Sequence, residues 1–254
     1  MKIAIITGAT SGIGAECVRI VAEKFQTIEE IWIVGRSIGT LTDVERKYPD
    51  KHFRKLNLDL SHKIDRKMFD KMLTEASPSV RVLVNAAGVG YAGDFADLSL
   101  EQQTEMVELN CQALMEVTYM VLPYMTKPGN IIQFASAAAY APQPGFAVYA
   151  ATKSFVLSFS RALNEELRKQ HKSDGIYVTA VCPGPVKTPF LDNAYAGKKQ
   201  SPLKKAFAVD AKSVANQAFI DACKYKSVSI YGGPMNVFHV LTKILPTDII
   251  MGFM

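Results

Sequence analysis

Tyr149-Ala150-Ala151-Thr152-Lys153 places a phenol and an ammonium four residues apart, on one face of any helix that contains them. A phenol with its ordinary pKa of about 10 exchanges protons slowly near neutrality. A cation at about 4 Å, in an effective dielectric near 20, favours phenolate by about 4 kcal/mol, or roughly three pKa units. The spacing therefore predicts a Tyr149 brought close to working pH, with Lys153 as its tuner. Such pairs also arise by chance on many helices, so the company they keep matters. Ser136 follows the expected strand Asn130 to Ala135, and its hydroxyl can hold an oxygen on which charge develops. A serine there can also merely cap a turn.

A second constellation lies near the start. Thr7-Gly8-Ala9-Thr10-Ser11-Gly12-Ile13-Gly14 stands between a β-like run, Ile3 to Ile6, and an amphipathic helical segment reaching about Phe25. Glycines permit a tight turn and close backbone approach, and a helix N-terminus offers unbonded N–H groups to phosphate. No Gly-Lys-Ser/Thr follows, so the turn is not a triphosphate P-loop. Glycine trios occur for local reasons too, but the first strand–helix turn of an alternating chain is where a dinucleotide's pyrophosphate binds. About 20 residues on, an NAD site wants a carboxylate for the adenosine ribose. The chain instead has Gly35-Arg36-Ser37 and no acid. A guanidinium can grip a 2′-phosphate with paired charge-assisted bonds, which favours NADP(H) over NAD(H). The plainer reading is an exposed loop arginine. Hydride delivery from such a cofactor to a ketone leaves an alkoxide, and Tyr149 would then be its proton donor.

These groups need a frame. Strands are expected at Ile3 to Ile6, Ile31 to Val34, His52 to Leu56, Val80 to Val84, Asn130 to Ala135, Ile176 to Val181 and Val228 to Tyr231. Between them lie helical segments near Leu41 to Tyr48, Lys63 to Thr74 and Phe146 to Gln170. Ser99 with Gln102 forms a capping box that opens a long helix toward Pro123, and Asp210 can cap another to about Tyr225. Strands alternating with helices of this length imply a parallel sheet covered on both faces. Nothing divides the chain, so residues 1–254 read as a single domain. The irregular stretch Pro183 to Val209 is long enough for a lid or binding loop, placed at about 187–210.

The 254 residues are 48% hydrophobic and 21% charged, as in an ordinary globular protein. The net charge of +5 gathers partly in Lys198, Lys199, Lys204 and Lys205. That cluster reads as a solvated loop, and no nucleic-acid surface is expected. Cys17, Cys111, Cys182 and Cys223 form no CxxC pair, and the histidines show no ligand spacing, so no metal site is expected. Free thiols and no secretory signal before the first strand point to the cytoplasm. No transmembrane segment is expected: the apolar stretch Met235 to Met254 is broken by His239, Lys243, Pro246 and Asp248.

Taken together, these motifs make the chain resemble the short-chain dehydrogenase/reductase family, in its compact branch of roughly 250 residues, over essentially its whole length. Residues 7 to 14 match the family's glycine signature, Asn85-Ala86-Ala87-Gly88 its motif after the fourth strand, and Tyr149 with Lys153 its YxxxK motif. Pro183-Gly184-Pro185-Val186-Lys187-Thr188 matches the segment that touches the nicotinamide. The resemblance implies an α/β, Rossmann-type, doubly wound and mainly parallel seven-stranded sheet with helices on both faces. It makes Asn110 a fourth catalytic residue, holding a water that links Lys153 to solvent. It places Asp59 and Leu60 at the adenine, and Val186 and Thr188 at the carboxamide. Asn85, Ala86, Gly88, Pro183 and Gly184 join the cofactor site. Ser11 departs from members that carry a basic residue there, which leaves phosphate selectivity mainly to Arg36. The implied activity interconverts a ketone and a secondary alcohol.

Substrate is less legible. Tyr91, Phe95, Tyr140, Phe146, Phe190, Tyr195 and Phe207 are candidate pocket walls, suited to an apolar, lipid-like or steroid carbonyl. The loop lysines keep a 3-ketoacyl thioester open as an alternative. A non-catalytic dinucleotide sensor or scaffold has no need of Asn110, Ser136, Tyr149 and Lys153 together. A homodimer or homotetramer through the helices about Leu100–Tyr124 and Phe146–Gln170 is expected by analogy.

Overall fold

The computed structural model describes residues 1–36, 38–39, 42–170, 175–195 and 207–252. Ser37, the four loop lysines and the middle of the expected binding loop lie outside the described residues. Strand β1 (Lys2–Thr7) is apolar and buried on both faces, as a strand flanked by parallel neighbours and covered by helices must be. β2 (Glu30–Gly35) and β3 (His52–Asn57) lie to one side of it; β4 (Ser79–Asn85), β5 (Met125–Phe134), β6 (Ile176–Val181) and the short β9 (Val228–Ser229) lie to the other. The order is β3-β2-β1-β4-β5-β6-β9, and each of the pairings is parallel.

Alternation along β1 builds two cores. Ala4 and Ile6 face α1 (Gly12–Lys24) and α8 (Ala211–Cys223), in a cluster with Val18, Val21, Val214 and Phe219. Ile3 and Ile5 face the other way, toward Trp32, Phe69, Val117 and Leu167. These come from β2, α3 (Lys63–Ala76), α5 (Leu114–Val121) and α6 (Ala147–Gln170). Each large side chain so buried is worth about 1.5–3 kcal/mol against exposure. The doubly wound architecture expected from the sequence is thus the one observed.

Two elements differ from expectation. β5 begins at Met125, because Val80 pairs with Met125 before a register shift; Pro128 and Gly129, which read as strand breakers, sit within that irregularity. The helix opened by the Ser99–Gln102 capping box is not continuous. α4 (Leu100–Val107) passes through a π-helical turn, Glu108–Ala113, before α5 begins. The wider turn re-aims its side chains, and it carries Asn110. Beyond the sheet edge, β7 (Val186–Lys187) pairs with β8 (Val209–Asp210) and closes the base of the long loop, which opens with α7 (Pro189–Tyr195). Helices α9 (Gly233–Ile244) and α10 (Thr247–Met251) complete the described chain.

Candidate active site

A cleft of about 710 Å³ runs along the C-terminal ends of the strands, across the point between β1 and β4 where the strand order reverses. Of the residues singled out from sequence, Gly8, Thr10, Ser11, Gly12, Ile13, Gly14, Arg36, Asp59 and Leu60 line one end. Ala86, Gly88, Ser136, Tyr149, Lys153, Pro183, Gly184, Val186 and Thr188 line the remainder.

The glycine turn is shaped by contact as well as by conformation. Gly8 has φ +64°, and a β-carbon there would lie 2.6 Å from the Ala87 backbone nitrogen. Ala87 N–H in turn donates to Thr7 Oγ1 at 3.2 Å, which ties the ends of β1 and β4 together. α1 starts at Gly12 with no acid in its first turn and no side-chain bond from Ser11 at its N-cap. By contrast, α4 is capped by Ser99 and α8 by Asp210. The N–H groups and positive dipole end of α1 therefore face the cleft, an arrangement that fits a phosphate.

Arg36 stands at the end of β2, its Nη1 3.5 Å from Glu105 Oε1. Burial would raise the nearby Asp59 carboxyl, but hydrogen bonds from Ser61 and the charges of Arg36 and His62 hold it below its ordinary range. Its Oδ1 accepts from both the backbone and the hydroxyl of Ser61, at 3.0 and 2.6 Å.

At the other end, Tyr149 and Lys153 are both buried at the start of α6. The Tyr149 ring packs edge-on to Phe146, with centroids 4.9 Å apart, and lies 5.7 Å from that of Phe190. Burial pushes its phenol up to about 12; a hydrogen bond with Ser136 opposes the rise and neighbouring Tyr195 adds to it. Burial thus opposes the lowering expected from the four-residue spacing. The spacing does put both groups on one face, but Lys153 Nζ passes 5.7 Å from the Tyr149 ring centroid and donates to the Phe134 carbonyl at 2.9 Å. Burial also pulls the lysine down to about 8, which leaves it mostly charged at neutral pH. Ser136 has extended backbone geometry and accepts from Ala138 N–H at 3.1 Å. It caps a 3₁₀ turn and also bonds Tyr149.

Asn110 does not line the cleft. It is fully buried, its Nδ2 donating to Val89 O (2.8 Å) and Thr152 Oγ1 (3.1 Å) while its Oδ1 accepts from Val89 N–H (2.9 Å). It thereby pins the loop segment that follows β4 to α6. A β-carbon at Gly88 would sit 3.0 Å from Asn110 Oδ1 and 3.4 Å from Lys153 Nζ, so only glycine passes there without displacement. Asn85, expected at the cofactor, turns its side chain into the core, where Nδ2 donates to Thr118 Oγ1 at 3.0 Å. As the last residue of β4 it points opposite to its cleft-lining neighbour Ala86.

Of the expected aromatic walls, Tyr91, Phe146, Phe190, Tyr195 and Phe207 line the cleft. Phe95 does not; it is 67% exposed. Tyr140 does not either, and packs its ring on His239 instead, with centroids 4.3 Å apart. Sequence reasoning missed Gln143, Asn193, Met235 and Phe238 as wall residues. Met235 and Phe238 lie on α9, in the apolar stretch Met235 to Met254, where nothing local marks which side chains turn toward the cleft.

The family model for short chain dehydrogenases matches residues 2–199. The chain belongs to the short-chain dehydrogenase family. It is an oxidoreductase, with a very-long-chain 3-oxoacyl-CoA reductase of Laccaria bicolor as one relative, 31% identical over 82% of this chain and 59% of that protein. A short-chain dehydrogenase from Sphingobium yanoikuyae, solved in complex with NADPH, is 26% identical and superposes with TM-score 0.76 over 91% of this chain and 87% of its own. A Burkholderia phymatum short chain dehydrogenase/reductase, solved with NAD, superposes with TM-score 0.79 over 99% and 95%; at 19% identity it shares the fold. Among the described residues, no helix is long and apolar enough to cross a membrane, and no group of three or more His, Cys, Asp or Glu is placed to hold a metal.

Proposed function

We propose that this short-chain dehydrogenase interconverts a ketone and a secondary alcohol with NADP(H), on an apolar, lipid-like or steroid carbonyl. One observation carries the reading: a single cleft has a phosphate-ready helix N-terminus at one end and Ser136, Tyr149 and Lys153 at the other, among Phe146, Phe190, Tyr195 and Phe207. In this reading the backbone of Gly8 to Gly14 holds the pyrophosphate, and Arg36 with Ser37 holds the 2′-phosphate. Asp59 and Leu60 flank the adenine. Ala86, Gly88 and Lys153 hold the nicotinamide ribose side, and Pro183, Gly184, Val186 and Thr188 the nicotinamide. When bound, the dinucleotide supplies or accepts the hydride.

The chain's own residues handle the proton. Ser136 Oγ and Tyr149 Oη hold the carbonyl oxygen. With its phenol near 12, Tyr149 is protonated at neutral pH and is the donor in the reductive direction. The Lys153 ammonium beneath the ring stabilises the phenolate that remains. Asn110 spends its side chain on Val89 and Thr152, so it serves the relay from Lys153 to solvent by fixing the walls of that path.

Exposed Val107, Met115, Tyr119 and Phe155 on α4, α5 and α6 support a homodimer or homotetramer through those helices. The four cysteines are free, which suits a reducing cytoplasm. The Laccaria relative favours a second substrate class, 3-ketoacyl thioesters. Initial rates of NADPH oxidation over aliphatic, aromatic and steroid ketones and acyl thioesters test the reading. Bulky apolar ketones should give the highest kcat/KM. A tenfold preference for thioesters would move the assignment to the second class, and no oxidation with any of them would overturn both.

A further inference from the structure

Glu105 on α4 is not among the residues that line the cleft, yet its carboxylate is held between two that do. Oε1 lies 3.5 Å from Arg36 Nη1, and Oε2 accepts a 2.5 Å hydrogen bond from the Tyr91 hydroxyl. The Glu105 side chain is only 25% exposed, against 60% for Arg36. The carboxylate is thus the fixed member of the pair and the arginine the reaching one. A short bond from a neutral phenol to a carboxylate is a strong restraint. Burial, together with that bond and the Glu105 charge, pushes Tyr91 up to about 12, so it stays the donor.

We propose that Glu105 sets the discrimination between phosphorylated and unphosphorylated dinucleotides, by competing with the 2′-phosphate for Arg36. This rests on the reading of Arg36 as the phosphate grip. Among the described residues, the charges facing Arg36 include Glu105, at ion-pair distance, and Asp59, whose carboxyl is held below its ordinary range. A 2′-phosphate brings close to two further negative charges to this place. It has to draw Arg36 from Glu105 or share it, and it meets repulsion from the carboxylate that remains. A dinucleotide without the phosphate meets neither effect. Tyr91 keeps the carboxylate in place, so the competitor does not swing away.

Fluorescence titration with NADPH and with NADH, at one fixed ionic strength, reads the effect as a ratio of dissociation constants. Glu105→Gln keeps an acceptor for Tyr91 but removes the charge. An ion pair this exposed accounts for a factor of up to about five, and relief of repulsion adds to it. Glu105→Gln should therefore lower the NADPH Kd about three- to tenfold and leave the NADH Kd within twofold. Glu105→Lys should lower the NADPH Kd further. Equal changes for both dinucleotides, or no change in either variant, would overturn the proposal; a merely structural Glu105 gives the former. Arg36→Ala separates the two layers. If it weakens NADPH binding while Glu105→Gln leaves the ratio unmoved, only the role of Glu105 fails. If Arg36→Ala leaves NADPH binding unchanged, the phosphate grip fails and this proposal fails with it.

Discussion

Lys153 is a stability liability whose size follows from its burial, and Lys153→Met exposes it. Burial lowers the ammonium from 10.5 to about 8. A difference of about two and a half units, at about 1.4 kcal/mol each, is a cost of about 3 kcal/mol for keeping the charged form folded. Below pH 8 the lysine is charged in both folded and unfolded chains, so the whole cost is present. Between pH 8 and 10.5 the unfolded chain binds the extra proton, stability rises with pH, and the cost disappears. Methionine carries no such cost, but it loses the 2.9 Å bond to the Phe134 carbonyl, worth about 1 kcal/mol. At pH 7 the variant should therefore be more stable by about 2 kcal/mol, which raises the urea midpoint by roughly 1 M. By about pH 10.5 the order should reverse. Ketone reduction should meanwhile fall at least about 100-fold. Urea unfolding of both proteins across pH 7 to 10.5 gives the answer. A less stable variant at pH 7, or a difference that does not change with pH, would refute the account of Lys153.

Two other substitutions separate chemistry from scaffolding. Ser136→Ala removes a partner of Tyr149 and should cost about 100-fold or more in kcat with little change in dinucleotide affinity, as steady-state kinetics and titration can show. Asn110→Ala leaves Val89 N–H and C=O without their partners and should cost about 2–4 kcal/mol. For a chain this long, calorimetry should then show the melting temperature reduced by roughly 5–12 °C.

Much of the frame was legible because the signals are local. The alternation of apolar strands with capped helices marks β1 to β6, and the Ser99–Gln102 box opens α4 as the spacing predicts. What escaped was set by tertiary contact. Pro128 and Gly129 disguised the start of β5, where pairing with β4 overrides local preference. The π turn has no sequence signature of its own; Asn110 alone reads as a polar kink or packing residue in a helix, and the turn that carries it is seen only in the structure. The four-residue spacing placed Tyr149 and Lys153 on one face, but it could not say that Lys153 would reach for the β5 carbonyl or that burial would outweigh charge. Asn85 sat inside a matching motif, yet strand alternation turns it from the cleft that Ala86 joins. Arg36 and Glu105 are 69 residues apart, beyond any local pattern.

The central claim is that Tyr149 donates the proton in carbonyl reduction. Tyr149→Phe keeps the ring that packs on Phe146 and Phe190 and removes only the hydroxyl. On the best ketone of the substrate panel, the account predicts kcat lower by about 1,000-fold or more, with the NADPH dissociation constant within about threefold of the unaltered enzyme. Turnover within tenfold of the unaltered enzyme would contradict it.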